Sequence, residues 1–129
     1  MREREVILVC GPPCAGKTTY VAQHATGADI VCDQDQLGPA AMRKALRQIA
    51  RMHAGRAWVI RCAPGPPRRE QLAKQVGATR TILLVPSMPE LIARAKHRPN
   101  VRRTIGAIYR WHQREATAAP LRVQHTRTW

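Results

Sequence analysis

Residues 11–18 read Gly11-Pro12-Pro13-Cys14-Ala15-Gly16-Lys17-Thr18, a stretch that fits the pattern G-x-x-x-x-G-K-[ST] without a gap. In this pattern a glycine-rich turn directs successive backbone N–H groups at phosphate oxygens. Lys17 is expected to reach the β- and γ-phosphates, and the Thr18 hydroxyl is expected to bind Mg²⁺. The stretch therefore predicts a site for a nucleoside triphosphate. Its expected binding residues are Gly11, Pro12, Pro13, Cys14, Ala15, Gly16, Lys17, Thr18 and Thr19.

The segments around this loop predict strands that alternate with helices. Val6-Ile7-Leu8-Val9 is an apolar, mostly β-branched run, as a parallel strand buried on both faces requires, and residues 18–25 can continue as a helix. Further strands are predicted at residues 28–32, 57–62 and 81–85, and further helices at residues 37–53, 68–76, 87–98 and 101–116. The alternation predicts one α/β domain over residues 1–129, with a parallel sheet of four to five strands flanked by helices.

The chain is strongly basic: 22 lysines and arginines against 8 acidic residues give a formal net charge of +14 over 129 residues. A field of this size attracts polyanions, so we expect nucleic acid as a partner. Coding bias and solvated helix faces are the alternative explanation of an arginine-rich chain. The sequence contains neither a run of 18 apolar residues nor the apolar segment of a signal peptide near its start, so we expect a cytoplasmic protein without a membrane partner.

Two aspartates, Asp33 and Asp35, follow the second predicted strand. They should lie beside the glycine-rich loop, because ligands gather at the carboxyl ends of the strands in open α/β sheets. A carboxylate there can orient Mg²⁺ through its water shell, or accept the proton of an attacking hydroxyl. One of the two can instead cap the helix that follows. We favour Asp35 as general base or Mg²⁺ partner, keep Asp33 as the alternative base, and expect Thr18 and Asp33 at the metal.

Residues 87–116 are predicted to form a basic helical lid. Ser87-Met88-Pro89-Glu90 is a capping box with proline in the first turn, which starts a helix that stops before Pro99. Arg94 and Arg98 lie toward the end of this helix, and a second helix follows. Residues 117–129 are predicted to be either a tail or a last strand.

The glycine-rich loop alone does not choose between motors, switches and kinases. Switch GTPases need a motif that reads the base, and motor ATPases usually carry an acidic residue after a long apolar strand. Here the third predicted strand ends Ile60-Arg61-Cys62-Ala63, without a carboxylate. The aspartates and the arginine-rich helices suit transfer of a γ-phosphoryl group to a hydroxyl, in which Lys17, Mg²⁺ and lid arginines stabilise charge while an aspartate takes the proton.

These features resemble the kinase domain of bacteriophage polynucleotide 5′-kinase and its relatives among small P-loop kinases. The resemblance rests on residues 6–20, on Pro67-Arg68-Arg69, and on Val85-Pro86-Ser87-Met88-Pro89-Glu90-Leu91-Ile92-Ala93-Arg94 followed by Arg98. It implies a P-loop NTPase/kinase fold that binds ATP and Mg²⁺ at Lys17 and Thr18. It also implies that Asp35 or Asp33 activates the acceptor hydroxyl and that Arg94 and Arg98 reach the β/γ-phosphates.

The chain departs from the family pattern on the acceptor side of the site. The family has D-D-x-x-R after its second strand, whereas Asp33-Gln34-Asp35-Gln36-Leu37-Gly38 lacks both the doublet and the arginine that would hold the acceptor phosphate. The family's aspartate after the third strand is replaced by Arg61 or its neighbours. An arginine at 61 can help to bind an acceptor phosphate, or it can indicate a different substrate.

Three functions are compatible with these patterns. The first is an ATP-dependent kinase that phosphorylates a hydroxyl on nucleic acid, with DNA favoured, at a 5′-OH end or a hydroxymethylated base. The second is a kinase of a small molecule such as a nucleoside, nucleotide or other metabolite. The third is a nucleic-acid-binding protein that binds ATP and transfers nothing.

Overall fold

A computed structural model describes the backbone of residues 3–126 and the side-chain surroundings of residues 3–117. The chain forms four strands, β1 (Glu5–Cys10), β2 (Ile30–Asp33), β3 (Arg56–Arg61) and β4 (Arg80–Leu83). They form one all-parallel sheet in the spatial order β2-β3-β1-β4. The predicted α/β class and parallel sheet are confirmed, and the sheet has four strands among the described residues.

Helices connect these strands and continue beyond the last one. They are α1 (Lys17–His24), α2 (Gln34–Leu37), α3 (Pro39–Ala50), α4 (Pro66–Val76), α5 (Met88–Ala95) and α6 (Val101–Thr126). The single helix predicted for residues 37–53 is wrong, because α2 and α3 are separate. Pro39 is the first residue of α3, and a proline disfavours the helical conformation in the residue before it, here Gly38.

Helix α6 is longer than the sequence predicted. It passes the expected end at Ala116 and continues to Thr126, so residues 117–126 form helix and not a strand. Residues 127–129 lie outside the described part of the chain. Alanine favours helix more strongly than any other residue, and Ala116, Ala118 and Ala119 extend the helical stretch.

The centre of the sheet is buried on both faces. Val6 and Leu8 of β1 pack on the side of α3 and α4, whereas Ile7 and Val9 pack with Trp58 on the opposite side. This two-sided burial explains why β1 is a continuous apolar run without alternation. The outer strands β2 and β4 are shorter and partly exposed.

Helices α5 and α6 pack onto the loop that joins β1 to α1. Leu91, Ala95 and Ile108 form one buried cluster with Cys14 and Ala15. The basic helical segment predicted for residues 87–116 therefore contacts the glycine-rich loop directly. None of the helices in residues 3–126 is both long and apolar enough to cross a lipid bilayer.

Candidate functional site

Three strands bring their carboxyl ends to one edge of the sheet. Cys10 at the end of β1 is in register with Arg61 at the end of β3, and Asp33 at the end of β2 is in register with Ile60. The glycine-rich loop, residues 11–16, starts at this edge and leads into α1. In a parallel α/β protein this is the edge at which ligands bind.

Close packing and backbone geometry fix the shape of the loop. A Cβ atom on Gly11 would collide with the carbonyl oxygen of Leu84, so glycine is required there. Gly16 has φ 89°, in the left-handed region that favours glycine. Cys14 is also left-handed, at φ 68°, although it carries a side chain. Cys14 is part of the buried cluster that contains Leu91, and this packing helps to hold the costly conformation.

Lys17 points into the concave side of the loop. Its Nζ donates to the carbonyl oxygens of Gly11 and Pro12, both at 2.8 Å, and lies 3.6 Å from the Sγ of Cys62. Only 8% of Lys17 is exposed. The carbonyl oxygens of Gly11 and Pro12 thus hold the ammonium group against the loop.

The two aspartates have different surroundings. Asp33 is buried, and its Oδ2 accepts a hydrogen bond of 2.9 Å from the Thr18 hydroxyl. Its Oδ1 accepts from the backbone N–H of Asp35, so Asp33 is the residue that caps α2. Asp35 is exposed and lines the cleft at the loop. The carboxylate of Asp33 is therefore fixed by hydrogen bonds, whereas the carboxylate of Asp35 is accessible.

Both predicted arginines of the helical segment lie at the loop. The Arg94 guanidinium donates to the carbonyl oxygen of Cys14 at 2.9 Å and lies 3.6 Å from the carboxylate of Glu90. The helix predicted to stop just before Pro99 ends at Ala95, so Arg98 lies in the turn after α5, where it lines both clefts at the loop. Positive charge from α5 and from the turn after it thus flanks the same loop that Lys17 contacts.

Two neighbouring clefts surround the loop. The first, of about 250 Å³, contains the accessible aspartate, and its lining residues are Pro13, Cys14, Ala15, Gly16, Lys17, Thr18, Thr19, Asp33, Asp35, Gln36 and Arg98. The second, of about 550 Å³, adjoins it across Gly16 and also contains Arg94 and Tyr20. All predicted site residues except Gly11 and Pro12 therefore line one of these clefts.

The donors in the first cleft fit Mg²⁺ bound together with phosphate better than a metal bound by protein alone. Among the side chains of residues 3–117 there is no cluster of three or more His, Cys, Asp or Glu that could hold a metal ion. Mg²⁺ is usually bound by one or two protein oxygens together with waters and substrate phosphates. The Thr18 hydroxyl and the Asp33 carboxylate supply oxygens of this kind.

Contacts that the sequence did not reveal fix the loop after β3. Arg69 forms a two-pronged ion pair with Glu115, at 2.7 and 2.9 Å, and Glu115 also accepts from the Gly65 N–H. Trp111 donates from Nε1 to the Cys62 carbonyl oxygen at 2.6 Å. The hydrogen bonds from Arg69 lower the pKa of Glu115 and outweigh the opposing effect of burial. Glu115 therefore stays ionised at lower pH than an ordinary glutamate does.

The aromatic residues and the buried thiol next to the site have structural roles. Trp58 and Trp111 are buried packing residues, whereas Tyr109 is 57% exposed. Burial raises the pKa of Cys10 to about 11, so its thiol stays protonated at neutral pH. A protonated, buried thiol is a packing group and a poor nucleophile.

The sequence matches no protein-family model, and no curated protein matches it. The fold and the site alone therefore define the class: an α/β protein with a four-stranded, all-parallel sheet flanked by helices. At the carboxyl edge of this sheet a glycine-rich loop, a buried lysine and two aspartates lie together.

Proposed function

We propose that this protein is a P-loop kinase that transfers the γ-phosphoryl group of ATP to a hydroxyl on nucleic acid. The acceptor is a 5′-OH end or a hydroxymethylated base, with DNA favoured. The hydrogen bond between Thr18 and Asp33 carries this proposal, because it places a hydroxyl and a carboxylate side by side next to Lys17. Asp35 and Arg98 line the same cleft.

The roles of the residues follow from their positions. Lys17 binds the β- and γ-phosphates, and Thr18 with Asp33 holds Mg²⁺. When bound, Mg²⁺ neutralises the charge of the phosphate oxygens. Asp35 accepts the proton of the acceptor hydroxyl as its oxygen bonds to the γ-phosphorus. The bond from that phosphorus to the oxygen bridging to the β-phosphate breaks, and ADP leaves.

Arg94 and Arg98 stabilise charge on the group in transfer. Arg94 lies on the exposed side of α5, Arg98 is exposed in the turn after α5, and both line clefts that share the loop. A phosphoryl group in transfer carries its charge on three oxygens, which arginines can contact in pairs. Arg94 already anchors the loop through Cys14, so we assign phosphate contact primarily to Arg98.

The charge of the surface supports nucleic acid as acceptor. Exposed arginines on α3 and α6 add to the net charge of +14, and none of these residues has an acidic partner among the described residues. They are Arg43, Arg47, Arg102, Arg103, Arg110 and Arg114. Exposed unpaired arginines bind phosphates along a strand regardless of its sequence.

A transfer assay with a panel of acceptors tests the proposal. Labelled ATP and Mg²⁺ are mixed with 5′-OH single strands, 5′-OH duplexes, hydroxymethyl-base DNA or free nucleosides. Label on an oligonucleotide end or base supports the proposal and names the acceptor. Label only on nucleosides identifies a small-molecule kinase instead. No label beyond the Lys17→Ala blank, together with measurable ATP binding, identifies a non-catalytic binding protein.

A further inference from the structure

A further cavity, of about 210 Å³, opens between the glycine-rich loop, the segment after β3 and α6. Its lining includes Pro13 of the loop, Cys62 after β3, and Arg110, Trp111 and Arg114 of α6. Within the described part of the chain no acidic residue lines it. A cavity of about 150 Å³ can hold a benzene ring, so this one has room for a small organic group.

Cys62 differs from the other three cysteines in its exposure. Cys10, Cys14 and Cys32 are buried, whereas Cys62 is half-buried and lines the cavity. Burial raises the pKa of Cys10 to about 11 and also raises the pKa of Cys32, which makes both thiols poor nucleophiles at neutral pH. A reagent that enters the cavity therefore reaches one accessible thiol.

The thiol of Cys62 lies against the lysine of the loop. Its Sγ is 3.6 Å from Nζ of Lys17, which also donates to the carbonyl oxygens of Gly11 and Pro12. An ammonium group has three N–H donors, so all three have a neighbouring acceptor here. A thiol attacks as its thiolate, and the Lys17 ammonium faces the sulfur on which that negative charge forms. The cavity thus combines an accessible thiol with a fixed cation.

Arg110 and Arg114 add two further cations to the cavity. Neither has an ion pair or a hydrogen bond among the described residues. A Cβ atom on Gly106 would lie 3.1 Å from Nη1 of Arg110, so glycine leaves room for this guanidinium to lie against the helix. Guanidinium groups bind carboxylates through paired hydrogen bonds. A small ligand that carries carboxylates therefore suits this cavity.

We propose that Cys62 is a modification site at which the disulfide of a small, carboxylate-bearing thiol forms a mixed disulfide with this protein. The Cys62 thiolate attacks one sulfur of that reagent, and a new sulfur–sulfur bond forms as the original one breaks. The other half of the reagent leaves as a thiolate and takes up the proton that Cys62 has lost. Arg110 and Arg114 bind the carboxylate of the half that stays, and a thiol reductant reverses the step.

The modification is expected to act on the loop through Lys17. The attached group brings a carboxylate into the cavity beside the ammonium, and its bulk lies against Pro13. Both effects oppose binding of a triphosphate at Lys17, so modification lowers the affinity for ATP. This consequence rests on the proposed function, whereas formation of the mixed disulfide does not.

A series of disulfides with different charges tests the site. Dithiodiglycolate, hydroxyethyl disulfide and cystamine are all small and aliphatic, and they are anionic, neutral and cationic, respectively. Each is added in excess to the native protein, and the intact mass shows how fast the chain gains one adduct. We expect a single adduct with dithiodiglycolate that is lost in Cys62→Ser and kept in Cys32→Ala, a change at a buried cysteine. Peptide mapping of the modified wild type locates the adduct without any variant.

The two arginines are tested with charge-matched variants. Arg110→Gln/Arg114→Gln should slow the reaction with dithiodiglycolate at least about 10-fold and change the reaction with hydroxyethyl disulfide about 2-fold at most. Arg102→Gln/Arg103→Gln removes the same charge from exposed positions of α6 outside the cavity, and should slow the anionic reagent about 2-fold at most. Equal slowing by both double variants would show that the net charge of the chain, and not the cavity, selects the reagent.

The outcomes separate the modification from the proposed function. No adduct on the native wild type, or an equal yield in Cys62→Ser, would overturn the site. We expect the adduct to raise the Kd for ATP at least about 10-fold and dithiothreitol to restore it. An unchanged Kd in the modified protein would overturn the link to Lys17. An unmodified wild type that binds ATP but transfers no phosphoryl group would overturn the proposed kinase and leave the modification site standing.

Discussion

The hydroxyl of Thr18 donates to Oδ2 of Asp33 across 2.9 Å, which joins the first turn of α1 to the end of β2. The same carboxylate caps α2 through the N–H of Asp35. One buried side chain thus fixes the start of a helix, a candidate metal-binding hydroxyl and the direction in which Asp35 leaves the sheet. The two aspartates therefore should respond differently to the same substitution.

Asp35→Asn should reduce the rate of transfer by about 100-fold or more while the Kd for ATP stays within about 2-fold, because loss of a general base acts on the chemical step. Asp33→Asn should instead weaken Mg²⁺-dependent ATP binding and lower stability. Single-turnover rates and ATP titrations with and without Mg²⁺ measure these effects. A larger loss of rate in Asp33→Asn at unchanged ATP affinity would reverse the two assignments.

Lys17→Ala should abolish transfer, by at least about 100-fold, because the ammonium group contacts the phosphates on which charge develops. The circular dichroism spectrum should stay that of the wild type. Lys74→Ala, an exposed lysine at the end of α4, is the matched control and should retain full activity. Comparable activity of the two variants would contradict the proposed role of the loop.

Glu115→Gln should destabilise the protein by about 2 kcal/mol, because it breaks a shielded ion pair and leaves the charge of Arg69 without its partner. Glu90→Gln breaks the exposed pair with Arg94 and should cost about 0.5 kcal/mol or less. Urea denaturation of both variants measures the difference. Equal midpoints would show that the pair between α4 and α6 contributes little to the free energy of unfolding.

Acid should destabilise the fold through Asp29 and Glu115. Burial opposes ionisation of Asp29, but hydrogen bonds from Trp58, Thr26 and Arg56 outweigh it and hold its pKa well below the ordinary value. The pKa of Glu115 is lowered too. A depressed pKa in the folded state gives stability above the unfolded pKa that is lost as the pH falls through the folded pKa. Melting temperatures should therefore fall steadily below pH 4.5, the ordinary value for glutamate.

The acid effect can be assigned to one of these groups by substitution. In Glu115→Gln the fall in melting temperature between pH 4.5 and about pH 3 should be smaller than in the wild type, because the amide that replaces the carboxylate binds no proton in this range. An equal fall in melting temperature in both proteins would show that another group, first of all Asp29, causes the loss of stability in acid.

Binding of single-stranded DNA should weaken at least about 10-fold between about 50 and 200 mM salt, because several phosphates displace counterions from the strand. Binding of thymidine should change little over the same range. Fluorescence anisotropy with a labelled oligonucleotide measures the first, and calorimetry the second. A salt-independent affinity for DNA would rule out the surface arginines as the binding face.

The sequence predicted the features that depend on neighbouring residues. The apolar run of β1, the proline and serine at the start of α5 and the glycine-rich loop are all local patterns, and each lies where it was expected. The position of Asp33 and Asp35 beside the loop also followed, because parallel strands end at one edge of a sheet.

Features that depend on distant residues were not predictable in this way. Arg69 and Glu115 are 46 positions apart, and Trp111 is 49 positions from Cys62. No periodicity within either segment indicates such a partner, since only the packing of α6 across α4 brings them together.

Helix α6 has a mechanical consequence for the arginines near the loop. Trp111 and Glu115 tie its middle to the segment after β3, so the first half of α6 moves with the body of the protein. Arg94 and Arg98 belong to the shorter α5 and the turn after it. Arg98 lies in the turn at residues 96–100 that joins these two helices, so amide exchange should be faster at Arg98 and its neighbours than in residues 105–115.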